Sequence, residues 1–289
     1  MILSDVCICN LAGTCHLCKL TQTDPEYARL LGVPTTYKKT LPCIHEEGIH
    51  TFCPRGDEML HVRGCALDHT NVTRNKCYTS CIDYAHNFDR VVVINLKRRP
   101  DRLIDFHNNL KEEKWPFMYP DTFAAMDGNC LGAPNFNSGG GAYGCKQSHV
   151  RILEQAINDG IRNILVLEDD AVLLPGGVDR IVDFIRRVPD DWDQLMLGGQ
   201  HMHEPIPYAN GIVKATDCQR THAYVIRGQF MHDMYVAWMD AKVHIDWVMG
   251  PMQRDRNVYC MQKFAFGQAA GVSDINHGIH PLNTWNGPT

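Results

Sequence analysis

The sequence predicts an α/β fold over residues 87–289, a mostly parallel sheet with flanking helices, preceded by a small Cys/His-rich module over residues 1–86. Three observations lead there. Short β-branched runs recur from Val91 onward, each feeding a helical pattern, which is the alternation that builds a parallel sheet. One of these runs ends in three adjacent carboxylates, Glu168-Asp169-Asp170. Nine of the 13 cysteines fall within the first 81 residues.

Composition narrows the function classes. The chain has 289 residues, of which 44% are hydrophobic and 21% charged, an ordinary globular balance that excludes disorder or a fibre. A net charge of −5 gives no electrostatic footprint for bulk nucleic-acid or membrane binding. No apolar run approaches the roughly 20 residues that a membrane helix needs. The segment Met1–Cys7 carries neither a basic stretch nor a long apolar one, so a secretory signal is not expected and a reducing, cytoplasmic setting is.

In such a setting clustered cysteines bind metal more often than one another. Cys7, Cys9, Cys15 and Cys18 offer four soft ligands, enough for one tetrahedral Zn²⁺. Cys53, Cys65, Cys77 and Cys81, with His61 or His69 as substitutes, offer a second set. The segment shows few long apolar periodicities, so a structural zinc fits its need for a staple. Disulfides or free thiols are the alternatives.

From Arg90 the elements follow in order. Val91-Val92-Val93-Ile94-Asn95-Leu96 reads as a strand buried on both faces. Lys97-Arg98-Arg99-Pro100-Asp101-Arg102 then delivers a basic loop into a helix that runs to about Lys114; such a loop can hold phosphate, or be a solvated turn. Pro134 to Tyr143, with Gly139-Gly140-Gly141, reads as a loop or mobile flap. Gly144 to Ile157 reads as a helix with Val150, Leu153, Ala156 and Ile157 on one face, closed by Gly160. Ile164-Leu165-Val166-Leu167 is a second buried strand, Val178 to Val188 an amphipathic helix, and Trp192 to Gly199 a further strand ending in glycines. Thr216 to Ile226 reads as a strand flanked by polar residues.

Three carboxylates in a row repel one another, and a cation relieves that repulsion. They sit at a strand's C-terminal end, where open α/β sheets bind ligands. Hard oxygen ligands of this kind suit Mn²⁺ or Mg²⁺. The alternative, a helix N-cap cluster, fits poorly because Ala171-Val172-Leu173-Leu174-Pro175 continues apolar.

Four stretches, in order, carry a resemblance: Val93 to Arg102, Gly144 to His149, Val166 to Ala171, and Asp191 to Gly198. Together they resemble glycosyltransferase family 25, which includes lipooligosaccharide and collagen hydroxylysine galactosyltransferases. The resemblance covers roughly residues 88–280, fades after Gly228 and excludes the cysteine-rich segment. It implies a Rossmann-like GT-A fold, a UDP-sugar donor, a divalent metal between carboxylate and diphosphate, and inversion at the anomeric centre. The chain departs from the family in its glycine run with Ala142-Tyr143 before Gly144, and in a shorter C-terminal part, so acceptor choice does not carry across.

On that reading Asp170 is the expected metal ligand, with Glu168 on the ribose or a metal-bound water and Asp169 between them in role. Asn95, Arg99 and Arg102 are the donor-site candidates, and Thr221 and His222 are placed to face the donor sugar. Ser148 and His149 would support the site from beneath, unless His149 is simply a core residue. A further metal ligand is sought among Asp274, His277 and His280, with His277 first. An inverting enzyme needs a base on the acceptor side. His244-Ile245-Asp246-Trp247 offers Asp246 beside an aromatic ring, against a helix-cap role for the same residue. A glycan or a protein is expected as acceptor rather than nucleic acid. Two other readings share the carboxylates: a nucleotide-sugar hydrolase, and a zinc-organised binding protein with an inactive transferase fold.

Overall fold

A computed structural model of the chain describes residues 87–128, 130–132, 135–275 and 278–285. The expected zinc ligands Cys7, Cys9, Cys15, Cys18, Cys53, Cys65, Cys77 and Cys81 lie outside the described residues, as does His277. Phe88–Trp115 and Tyr119–Thr289 form one compact unit.

In chain order its elements are β1 (Arg90–Asn95), α1 (Pro100–Glu112), β2 (Asp121–Ala124), α2 (Gly139–Asn158), β3 (Asn163–Glu168), β4 (Ala171–Leu173), α3 (Gly177–Arg187) and β5 (Gln194–Met196). There follow β6 (Gln200–His201), β7 (Ile206–Ala209), β8 (Ile212–Lys214), β9 (Cys218–Gln219), β10 (Ala223–Arg227), α4 (Gly228–Asp240) and α5 (Ile245–Met252). The last strands are β11 (Val258–Met261), β12 (Phe266–Gln268), β13 (Gly271–Val272) and β14 (Ile279–His280).

Eight strands form the main sheet in the order β2-β1-β3-β10-β5-β11-β8-β7. β1 is parallel to β2 and β3, and β5 is parallel to β11. β10 runs against β3 and β5, and β8 runs against β11 and β7. The sheet is therefore mixed: six of its eight strands point the same way, while three of its seven neighbouring pairs are parallel. Successive residues of β1 and β3 are buried, so both faces of the sheet centre are covered. Val91, Val93, Leu165 and Leu167 are each 0% exposed, and burying each such side chain contributes about 1.5–3 kcal/mol. Pro100 opens α1, where its missing N–H leaves no intrahelical bond unmade. α4 brings Trp238 onto the rings of His149 and Tyr224, with centroids 5.7 and 6.1 Å away. Among the described residues no helix is long and apolar enough to cross a membrane.

Two expectations are corrected. The glycine run is not a loop: Gly139, Gly140 and Gly141 make the first turn of α2. Gly139 takes a positive φ of 83°, and Gly141 serves close approach. A Cβ on Gly141 would lie 2.6 Å from the Asp274 carbonyl oxygen, so the helix start packs against residues 274–275. The expected single strand over Thr216 to Ile226 is two, β9 and β10, broken at Arg220 with φ +76.

The Gly144–His149 stretch now has a physical explanation. Gly144 lets α2 touch the chain at 126–128, since a Cβ there would sit 2.4 Å from the Met126 carbonyl oxygen. Ser148 Oγ donates to the Gly144 carbonyl at 2.8 Å and accepts from the Met126 N–H at 2.9 Å. Lys146, 4% exposed, donates through Nζ to the Met239 and Ala241 carbonyls, both at 2.8 Å, and so closes the end of α4. Replacing Gly144 by Ala forces backbone apart at a rigid contact. Its expected cost is that of overpacking, about 1–3 kcal/mol, read as a lower midpoint in urea unfolding with an unchanged slope.

Candidate functional site

Topology gathers the site at one sheet edge. Parallel β1 and β3 end there at Asn95 and Glu168, with Ile94 paired to Glu168. Antiparallel β10 starts there, so Thr221 and His222 arrive beside Glu168, whose N–H donates to the His222 carbonyl at 3.0 Å. The small β4–β12 pair sets Gln268 against Ala171, next to Asp170. α1 begins at the same edge and supplies Arg102.

Each carboxylate of the triplet has its own company. Glu168 Oε1 accepts from the Thr221 hydroxyl at 2.6 Å and lies 3.3 Å from His149 Nε2, whose Nδ1 meets the Tyr224 hydroxyl at 3.0 Å. Asp169 accepts from Asn95 Nδ2 at 2.7 Å and faces Arg102 at 3.2 Å. Asp170 Oδ2 faces Arg102 at 2.7 Å and accepts from Gln268 Nε2 at 3.2 Å. Asp170 Oδ1 is buried and has no hydrogen-bond partner among the described residues.

One guanidinium serves several acids, and the electrostatics show it. Burial pushes Asp170 up to about 7, with the neighbouring Glu168 charge adding and Arg102 opposing. Burial likewise pushes Asp169 up to about 6 against the pull of Arg102 and Asn95. The short Arg102 contacts alone would lower both, so desolvation and like charge win here. Burial also works against the Glu168 charge, but the His149 and Thr221 contacts outweigh it and hold this carboxyl low.

A cavity of about 270 Å³ opens over these groups. Its lining includes Glu168, Asp170, Arg102, Thr221, His222, Gln268 and Asp246. Asp246, in the first turn of α5, accepts from the Trp247 N–H at 3.0 Å and from the Arg220 N–H at 3.4 Å. Burial raises its pKa, with Arg220 and His244 opposing. Adjacent residues Arg220 and Thr221 thus reach the two carboxylates assigned to base and donor sides. Holding a non-glycine residue at positive φ costs about 1–3 kcal/mol, a strain that clusters at functional sites. The Arg220 guanidinium donates to Gln200 Oε1 at 2.9 Å and lies over the Trp285 ring at 4.8 Å. Burial pushes His222 down to about 4, so it is a neutral imidazole at the cavity wall.

The cavity brings together Glu168, Asp170, Arg102, His222 and Asp246 from the expected set. Asn95, Arg99 and Asp169 do not line it. Asn95 is 5% exposed and holds Asp169 and the Arg99 carbonyl, so it positions rather than contacts. Asp274 is held by Arg98, Arg99 and Arg102, which keep its carboxyl low despite burial. His280 lines the cavity mouth with Trp285 and the half-exposed Trp247. Sequence reasoning missed Gln268, Cys145 and Trp285. Gln268 meets Asp170 across 98 positions of chain, and no local pattern signals that return.

Comparison with known proteins adds a family likeness. Residues 88–204 match the family described as Glycosyltransferase family 25 (LPS biosynthesis protein). Procollagen galactosyltransferase 1 of Danio rerio is 26% identical over 165 residues, 48% of this chain and 27% of that protein. Inactive glycosyltransferase 25 family member 3 of Homo sapiens is 28% identical over 168 residues, again 48% and 27%. The chain thus spans about a quarter of the length of these curated relatives. A solved UDP-glucose pyrophosphorylase complexed with UDP-glucose aligns with 63% of this chain and 77% of its own at TM-score 0.35 and 9% identity. Over residues 88–204, where all four motifs lie, this chain is similar to glycosyltransferase family 25 sequences.

Proposed function

We propose that this chain is a metal-dependent glycosyltransferase of GT-A type that moves a sugar from a UDP-sugar to an acceptor hydroxyl with inversion. The observation that carries the reading is that Glu168, Asp170 and Asp246 line one cavity. Two carboxylates there suit the donor side, and a third, on a different element, suits the acceptor side. The relative named as a procollagen galactosyltransferase makes UDP-galactose the first donor to try and a protein or glycan hydroxyl the first acceptor.

Asp170 and Glu168 would hold Mn²⁺ or Mg²⁺, and the unpartnered buried Oδ1 of Asp170 fits that role. A divalent cation at this place supplies Lewis-acid neutralisation of a diphosphate leaving group. Charge counting supports it. Arg98, Arg99 and Arg102 already face Asp101, Asp127, Asp169, Asp170 and Asp274. A diphosphate arriving among more acids than guanidinium groups needs added positive charge. His277 remains the further ligand proposed from the C-terminal stretch. Asp246 would take the acceptor proton, and Trp247 offers a ring face to a sugar. The Cys/His-rich segment 1–86 is proposed to hold structural zinc.

The purified chain, given a panel of UDP-sugars with Mn²⁺, should release UDP from one donor. EDTA or Asp170→Ala should abolish that release. Release without any acceptor product would point to the hydrolase reading. A second reading has a specific observation behind it, because one relative is named inactive. Absence of UDP release together with absence of a UDP-induced thermal shift would favour it.

Asp246→Asn should lower kcat by about 10²–10⁴ while leaving donor affinity unchanged, measured as transfer rate against UDP-sugar titration. A base must be ionised to act, and this one has a raised pKa. It therefore becomes protonated at higher pH than a free aspartic acid, whose value is about 3.9. The parent's rate should fall as pH drops through that raised value, and this acid limb should vanish in Asp246→Asn. Arg102→Met removes the shared cation of Asp169 and Asp170. It should lower the thermal midpoint by several degrees and make the remaining stability depend on added Mg²⁺, read by differential scanning fluorimetry.

A further inference from the structure

Apart from the carboxylate cavity, three soft ligands meet in the core of the same unit. His201 on β6, Cys218 on β9 and Cys260 on β11 each present a ligand atom, and these atoms all lie within 4.8 Å of one another. Both cysteines are 0% exposed and neither forms a disulfide. Neither ring nitrogen of His201 has a hydrogen-bond partner among the described residues, although both are buried. Buried polar atoms are nearly always satisfied, and two orphans on one imidazole call for a ligand.

The surroundings make room for the cluster. Gly199 lies so close that a Cβ there would approach Cys218 Sγ to 2.6 Å. The His201 ring stacks on Phe264 at 5.5 Å, which fixes its plane. The Cys218 backbone is pinned on both sides by Gln253, whose Oε1 accepts from its N–H at 2.7 Å and whose Nε2 donates to its carbonyl at 2.9 Å. Burial pushes the Cys260 thiol well up, with Cys218 adding, so this thiol keeps its proton unless a cation takes its place. Burial lowers His201, which leaves its imidazole neutral and able to donate a lone pair.

We infer that His201, Cys218 and Cys260 form a second, structural metal site for a thiophilic cation, Zn²⁺ first, bound by two thiolates and one imidazole with a water as fourth ligand. Zn–S of about 2.3 Å and Zn–N of about 2.0 Å put such atoms roughly 3.5–4 Å apart, so small rotamer shifts complete the site. On binding, the two thiol protons leave to solvent. The site would tie the β6–β9 pair to β11. β9 ends at Gln219, one residue before the Arg220–Thr221 pair that reaches Asp246 and Glu168, so the tie would steady the cavity from behind.

The test uses the full chain, stripped by chelator under reducing conditions and titrated with Co²⁺. Bound equivalents are counted by elemental analysis, and the thiolate-to-cobalt charge-transfer band is recorded. Cys218→Ala and Cys260→Ala should each bind one equivalent fewer than the parent, with a weaker band. The N-terminal cysteines are common to parent and variants, so the difference isolates this cluster. His201→Asn removes no side-chain hydrogen bond found among the described residues, and its far-ultraviolet circular dichroism is compared with the parent's. It should weaken that equivalent by more than the roughly 10–100-fold that loss of an outer partner causes. Equal counts and equal affinity in the parent and His201→Asn overturn the proposal. So does a Cys218–Cys260 disulfide in zinc-free protein isolated without reductant.

Discussion

Everything at this sheet edge answers one constraint: three consecutive carboxylates at the end of a buried strand. A strand that leaves the core cannot separate adjacent side chains by much, so the charges must be relieved in place. The fold relieves them in three different ways. Glu168 is tied to Thr221 and His149, Asp169 to Asn95, and Asp170 to Arg102 and Gln268. One oxygen of Asp170 is left over. That leftover is the place where the local chemistry is unfinished, on a residue that lines the same cavity as Asp246.

The fold was legible wherever a segment was decided by its own pattern. β1 and β3 are continuous apolar runs, and α3 keeps its apolar residues at helical spacing, so each stood where the sequence put it. Failures came where distant chain decided the matter. Gly139–Gly141 look like a flexible loop in isolation, yet they open a helix, and the missing side chain of Gly141 serves contact with residues 274–275. Arg220 sits in a run of strand-like residues, yet the return to Asp246 bends it to positive φ. Glycine means freedom locally and closeness globally, and a sequence read residue by residue cannot separate the two.

The site divides along the same line. Glu168, Asp170 and Asp246 were legible because carboxylate clusters and an acid beside a tryptophan carry chemistry in their composition. Asn95 and Arg99, expected at the donor, do not line the cavity and hold Asp169 and Asp274. Gln268 and Trp285 were not legible at all, since residues far along the chain bring them there. The His201–Cys218–Cys260 cluster is of this second kind: its three members are ordinary core positions in sequence, and only the return of β11 across β5 assembles them.

The left-handed turn at Arg220 has a wider consequence. Consecutive α-carbons are fixed about 3.8 Å apart, and the neighbouring residues Arg220 and Thr221 carry the contacts to Asp246 and Glu168. The two contacts are thereby kept close by covalent geometry rather than by loops. Of the ring-bearing rim, His244 and Trp247 flank Asp246 on the same stretch of chain, and Trp285 lies against the Arg220 guanidinium. A substitution in that rim is therefore felt at Asp246 or Arg220 as well as at the cavity wall.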